Sequence, residues 1–376
     1  MNNMTFDEFK QEVADRIKDY LPEKYANAAV SLQDIMKNND TKLTAVTILL
    51  PDSNISPTIY LNEYYVDYKN NMPMEQILTQ IAAVRDKYEL ENPFDVSRIT
   101  DFDQVKGKIA AKLIGAEMNA VLLADRPHTM IDDLAATYCV RLGEDERGSM
   151  SVPGTNNLMK TWNVSAEELH DIARENMETL TPGSFKSMHE MMMGMIMPNL
   201  LEQCGGDKEQ AEMLFETMCP PDDGRMYVLT NEQKFNGAAI ILSEKTMDQV
   251  ADKVGDRFFI LPSSIHELLV VPRDAGIDRK DLENMVREVN ATQVAPEERL
   301  SDHVYIYDAK EHELFRADRE NEHFQVKENA AVQSFEKQSG KRTSIKEKLA
   351  EKKTEVDARE AKVSARSASK AMEASI

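Results

Sequence analysis

Apolar residues recur along this chain with two different periods, and the switches between them mark out its elements. Over residues 5–20 the period is helical. Phe6, Phe9, Val13 and Ile17 fall at spacings of three and four, and Thr5-Phe-Asp-Glu8 ahead of them has the form of a capping box. Runs at 28–36 and 43–50 predict strands, with a third at 58–61, and Pro51 and Pro57 bound the loop between. Met74, Ile77, Leu78, Ile81 and Ala82 give a second helix, over 73–88, its buried side.

Short apolar runs follow at 109–114, 120–123 and 134–142, all read as strands, with a weaker one at 149–152. Ser165-Ala-Glu-Glu168 is a second capping box. Val164 and Leu169 flank it, and Leu169, Ile172, Ala173 and Met177 mark the inner face of its helix. Two more helices are predicted at 185–197 and 208–218, separated by Gly205-Gly206-Asp207. The last third reads as strands at 226–230 and 238–242, a helix ending at Gly255, strands at 258–261 and 268–271, a helix through Leu282–Val289, and a hairpin at 304–307 and 313–316. That is a ββα-ββα-ββ echo. Two-residue alternation and short links favour mixed or antiparallel sheets with packed helices, an α+β fold, over a doubly wound parallel one.

Composition divides the chain further. Its 376 residues suffice for more than one core, and the expected units are 1–92, 93–222, 223–324 and a tail at 325–376. The tail holds 12 Lys and Arg against 8 Asp and Glu, whereas the rest holds 33 against 58. In the tail Leu349, Val356 and Val363 are seven apart, but Lys352 and Arg359 interrupt the seam, so a solvated helix in a disordered segment is expected. An acidic body repels phosphate backbones, which disfavours general nucleic-acid binding and leaves only weak contact with an anionic partner to the tail. A protein partner is the expectation. Three cysteines without a CxxC, no apolar run near the length of a membrane span, and an acidic N-terminus place the chain in the cytoplasm, away from membranes.

Four phrases, ADRPHTMIDDLAATYCVRL, TWNVSAEELHDIARENM, RMYVLTN…NGAAIIL and FFILPSSIHELLVVP, occur in this order. They resemble a family of unknown function from anaerobic Firmicutes whose genes often lie on integrative or conjugative elements. The similarity spans about residues 1–325 and implies no activity, cofactor or site residue. More distantly, the strand and helix pattern is similar to another uncharacterised Firmicutes family. The tail phrase TSIKEKLAEKK is similar to tails of accessory proteins of such elements.

Candidate chemistry gathers in three places. In RFFILPSSIHELLVVP, from Arg257, two apolar runs bracket Ser263, Ser264, His266 and Glu267. A catalytic reading makes a serine the nucleophile and His266 its base, but no third group or GxSxG elbow accompanies them. The structural reading, a polar turn or one capped helical turn between strands, is cheaper. Second, if residues 128–132 were helical, His128 and Asp132 would share a face as a pair of metal ligands, with Asp133 beside them. Capping of a turn explains the acids more simply. Third, Met188, Met191, Met192 and Met195 lie close in a methionine-rich segment. Such a face is ordinarily core, and otherwise a groove that adapts to a partner or ligand. His189-Glu190 lacks the second histidine of a metalloprotease motif. No cofactor motif occurs.

The leading expectation is a non-catalytic interaction or accessory protein. The rival is a hydrolase or metal-dependent enzyme assembled from His128, Asp132, Asp133, His266 and Glu267. A weaker third reading makes the acidic body a DNA mimic.

Overall fold

The computed structural model describes residues 4–89, 95–145, 148–219, 221, 223–262 and 264–328. The chain forms two units, Met1–Asp318 and Arg319–Ile376. In the second, residues 320–328 are helical, and the charged segment expected around 344–363 lies outside the described residues. The first unit is α+β, with antiparallel sheets and packed helices.

Its N-terminal part is a three-stranded sheet of β1 (Ala29–Met36), β2 (Lys42–Leu49) and β3 (Thr58–Tyr60) in chain order. Helices α1 (Phe6–Arg16), α2 (Asn62–Lys69) and α3 (Met74–Lys87) share a core with it. Helix α1 begins where the sequence indicates, since both halves of the capping box form. Phe9, Val13 and Ile17 meet Val46, Ile48, Ile77 and Ile81 in that core. One cation is buried there. Arg85 is fully enclosed, donates from Nε to the Ile48 carbonyl (2.7 Å), pairs with Glu89 and stacks on the Tyr25 ring.

Short helices α4 (Ser97–Thr100) and α5 (Phe102–Val105) lead to the second sheet. Its strands are β4 (Ile109–Gly115), β5 (His128–Ile131), β6 (Leu134–Asp145) and β7 (Gly148–Pro153), with α6 (Ala120–Leu123) between β4 and β5. The long β6 pairs with all three others. Helices α7 (Asn156–Trp162) and α8 (Ala166–Leu180) follow, the second started by the complete capping box at Ser165 and Glu168.

The third sheet runs in the order β13-β12-β10-β11-β9-β8. Its members are β8 (Gly183–Ser187), β9 (Tyr227–Asn231), β10 (Arg257–Leu261), β11 (Leu268–Pro272), β12 (Tyr305–Asp308) and β13 (Glu313–Arg316). Helices α9 (Met188–Gln203) and α10 (Lys208–Met218) form an excursion between β8 and β9. Helix α11 (Glu244–Val254) precedes β10, and α12 (Arg279–Thr292) follows β11. The second and third sheets share one large core, from Val105 to Leu314, distinct from the N-terminal core.

A polar joint connects the N-terminal sheet to the rest. Asn39 and Asp40, in the β1–β2 turn, have left-handed φ angles of 59° and 47°. Buried Asn119 donates from Nδ2 to the Asn38 and Asn39 side-chain oxygens and to the Gly115 carbonyl, while its Oδ1 accepts from the Asn39 N–H (2.7 Å). Asn38 and Asn39 in turn donate to the carbonyls of Pro296, Glu297 and Arg299.

Four expectations change. Residues 120–123 are a helical turn, α6. Residues 185–187 belong to strand β8, and the helix starts after Ser187, whose side chain forms a third capping box with Glu190. Residues 238–242 belong to a 3₁₀ helix, Gly237–Leu242, in which all six residues are buried. A run apolar on every side carries no period to tell the two apart. Left-handed Asn236 and the cramped Gly237 start the 3₁₀ turn, and the ββα echo loses its first strand pair. Finally, His128 lies in a strand, so it and Asp132 share no helix face.

Candidate functional site

The turn between β10 and β11 brings the first candidate set into view. Gly237 fixes what lies beside it: a Cβ there would stand 2.1 Å from the Thr230 hydroxyl and 2.4 Å from the His266 carbonyl oxygen. The close approach lets Thr230 donate to that carbonyl (2.7 Å) and Ala238 donate to the Ile265 carbonyl (3.2 Å). His266 Nδ1 accepts from the Asn236 backbone N–H (3.0 Å), which puts the proton of the neutral ring on Nε2. Nε2 stands 3.5 Å from Glu298, and Phe235 covers the ring. Ser264 Oγ accepts the His266 backbone N–H (3.0 Å), and the Glu267 carbonyl accepts from Ser264 N–H (3.4 Å). Ser263 lies outside the described residues. Both the imidazole and the Ser264 hydroxyl therefore hold backbone in place. A base poised for catalysis instead keeps a ring nitrogen directed at a nucleophile.

The second set belongs to the β5–β6 hairpin. His128 Nδ1 bonds the Arg126 carbonyl (2.8 Å). Asp132 takes the left-handed position of the turn (φ 53°), and its Oδ2 accepts the Arg316 backbone N–H (2.9 Å). Asp133 accepts the Tyr305 hydroxyl (2.6 Å) and lies 3.4 Å from Arg316 Nη1 and 3.9 Å from His303. Burial, reinforced by the Asp133 charge, pushes the Tyr305 hydroxyl far above the ordinary phenol value. These acids clamp the hairpin to β12 and β13. Among the described residues, no group of three or more His, Cys, Asp or Glu is placed to hold a metal ion.

A narrow cavity opens between the second and third sheets, lined in part by Cys139, Arg141, Asn231, Gln233 and Asn236. It leaves about 40 Å³ for water centres, which holds about two or three molecules rather than a substrate. Among the described residues the buried Gln233 Oε1 has no hydrogen-bond partner and is a natural acceptor for such a water.

These observations bear on what the chain is. The model for a family of unknown function, DUF5688, matches residues 6–309. The chain belongs to that family. No curated protein and no solved structure matches it. The DUF5688 match runs through β12 and so takes in every candidate described here, the methionine segment included.

In this DUF5688 member the methionines lie on the α9–α10 hairpin, which has a small core of its own around Leu200, Ala211, Phe215 and Cys219. Met192 packs against it, Met188 and Met191 are half-buried, and Met195 is 67% exposed. Met193, Met213, Leu214 and Met218 are exposed as well, Met213 by 69% and Met218 by 64%. Pro198 removes one helical hydrogen bond within α9. The sequence marks out the α9 methionines by their density but not their α10 counterparts, because Met213 and Met218 lie outside that methionine run. Among the described residues no helix is long and apolar enough to cross a membrane.

Proposed function

We propose that this protein is a non-catalytic interaction module whose contact surface is the α9–α10 hairpin. The observation that carries the reading is the exposure of Met193, Met195, Met213, Leu214 and Met218 on one excursion from the third sheet. Large apolar side chains concentrated on a surface cost solubility, and thioethers adapt to varied partner shapes. The same hairpin carries six acids (Glu190, Glu202, Asp207, Glu209, Glu212 and Glu216) against one base, Lys208. That charge suits a partner helix with an apolar stripe flanked by lysine or arginine. The commitment of His266, Asp132 and Asp133 to backbone and sheet contacts supports this reading over the enzyme assembled from them. Cytoplasmic residence and accessory service to a mobile element complete the proposal. Their support is the free cysteines and the phrases shared with such a family.

The test places a photo-crosslinking residue at Met195 in the full-length protein in its host, with Lys280 on α12 as control. The expected result is one discrete adduct from position 195 alone, with its contact segment mapping to a basic amphipathic helix. Against that segment, the paired change Met195→Glu with Met213→Glu is expected to weaken binding at least ~10-fold. Equal adducts at both positions, or a contact segment that is acidic or extended, would overturn the reading.

A further inference from the structure

Helix α9 carries sulfur at a density that packing does not require. Six methionines fall within residues 188–197, where leucine would bury as much apolar surface and favour the helix equally. What methionine adds is a polarisable sulfur. Four of the six are corners of a diamond on one helix face. Met188 lies three residues before Met191 and four before Met192, and Met195 lies four after Met191 and three after Met192. Residues at those spacings are surface neighbours, with Cβ atoms about 5–6 Å apart. Each sulfur stands two bonds beyond its Cβ on an unbranched, rotatable chain, so sulfurs from adjacent corners can meet at a point between them. Three corners are half-buried and Met195 is 67% exposed, which leaves the diamond open to solvent at one corner.

The harder donors on the same turns are engaged elsewhere. Glu190 accepts the Ser187 backbone N–H (2.7 Å) and so completes the capping box. The His189 ring meets the Phe215 ring edge-on, with centroids 5.1 Å apart, beside the hairpin's own core. The absence of a His, Cys, Asp or Glu metal group among the described residues does not touch a site made of thioethers. Thioethers are soft and uncharged. They suit a soft ion of low charge and give little to zinc, magnesium or calcium. They also leave the charge of that ion uncompensated. The hairpin's six acids against one base surround it with a field of the required sign, from outside the diamond.

We infer that the α9 face of Met188, Met191, Met192 and Met195 is a binding site for copper(I), held by thioether sulfur alone. The inference goes beyond the docking surface. Of the side chains that carry that reading it shares only Met195.

The experiment adds copper(I), without oxygen, to the full-length protein isotope-labelled at its methionine methyl groups, and follows each methyl resonance. Reading the methyls separates this site from copper held by the free cysteines. Saturable shifts of the Met188, Met191, Met192 and Met195 methyls are expected, with those of Met213 and Met218 unmoved and no such shifts from zinc. Affinity is read as the concentration of a copper(I) chelator, bicinchoninate, that reverses the shifts. Met191→Leu and Met195→Leu keep size and helix preference, and each is expected to weaken binding at least ~10-fold, whereas Met213→Leu leaves it unchanged. If the half-buried Met191→Leu lowers the melting temperature, the exposed Met195→Leu carries the comparison alone. Unmoved methyls on α9, shifts spread equally to Met213 and Met218, the same shifts from zinc, or unaltered affinity in the usable variants would each overturn the site. Copper binding without a crosslinked partner at position 195 would keep this inference and sink the docking reading, and a crosslinked partner without copper binding would do the opposite.

Discussion

At Gly237 the protein leaves no space for even one more carbon. The atoms in the way are a hydroxyl oxygen, a carbonyl oxygen and the Asn231 backbone nitrogen, two of them main chain. Gly237→Ala therefore has to displace backbone at the start of the 3₁₀ turn and break the Thr230 bond to the His266 carbonyl. The expected cost is about 3 kcal/mol or more, measured as a drop in the urea midpoint. An unchanged midpoint would mean that the turn yields, and the account of His266 as a fixed tie would go with it. Contacts of this kind are hard to read from a sequence. The capping boxes at Thr5 and Ser165 are legible because donor and acceptor are three residues apart. The roles of Gly237 and His266 depend on one another across the fold, and the letters around each are ordinary.

Among the elements, β12 has the sharpest chemical signature. Tyr305 and Tyr307 are both buried, and burial raises both hydroxyls above the phenol value of about 10 found in an unfolded chain. A raised acid keeps its proton longer when folded than when unfolded. The stability this confers is complete below about pH 10 and is lost as pH climbs beyond it, by up to about 1.4 kcal/mol per pH unit for each tyrosine. Urea unfolding between about pH 8 and pH 11 should thus be flat and then fall steeply. Tyr305→Phe together with Tyr307→Phe should flatten the descent, and an equally steep fall in that variant would assign the loss to other groups. Strands such as β12 were legible from sequence, as were the principal helices, since each has a period. The 3₁₀ helix Gly237–Leu242 and strand β8 were not. The first is buried all round, and the second runs directly into α9, so its apolar Phe185 reads as the first turn of the helix.

At the scale of the first unit, amides fasten its two larger apolar cores. Asn119 joins the N-terminal sheet to the start of α6, and its partners reach on to residues 296–299. No local pattern announces this joint, because the bonded residues lie about 80 and 260 positions apart. Asn119→Leu would leave the Asn38, Asn39 and Gly115 groups without their partner. We expect it to lower stability by roughly 2–4 kcal/mol and to split one calorimetric transition into two, the N-terminal core and the large core melting apart. A single, merely shifted transition would show that apolar packing alone couples them. Such a fastening has a further consequence. Parting the two lobes there would uncover amides and carbonyls, which water solvates readily, and little grease. The molecule can therefore breathe at its seam without becoming sticky, a safer way to open than any route that bares a hydrophobic interior.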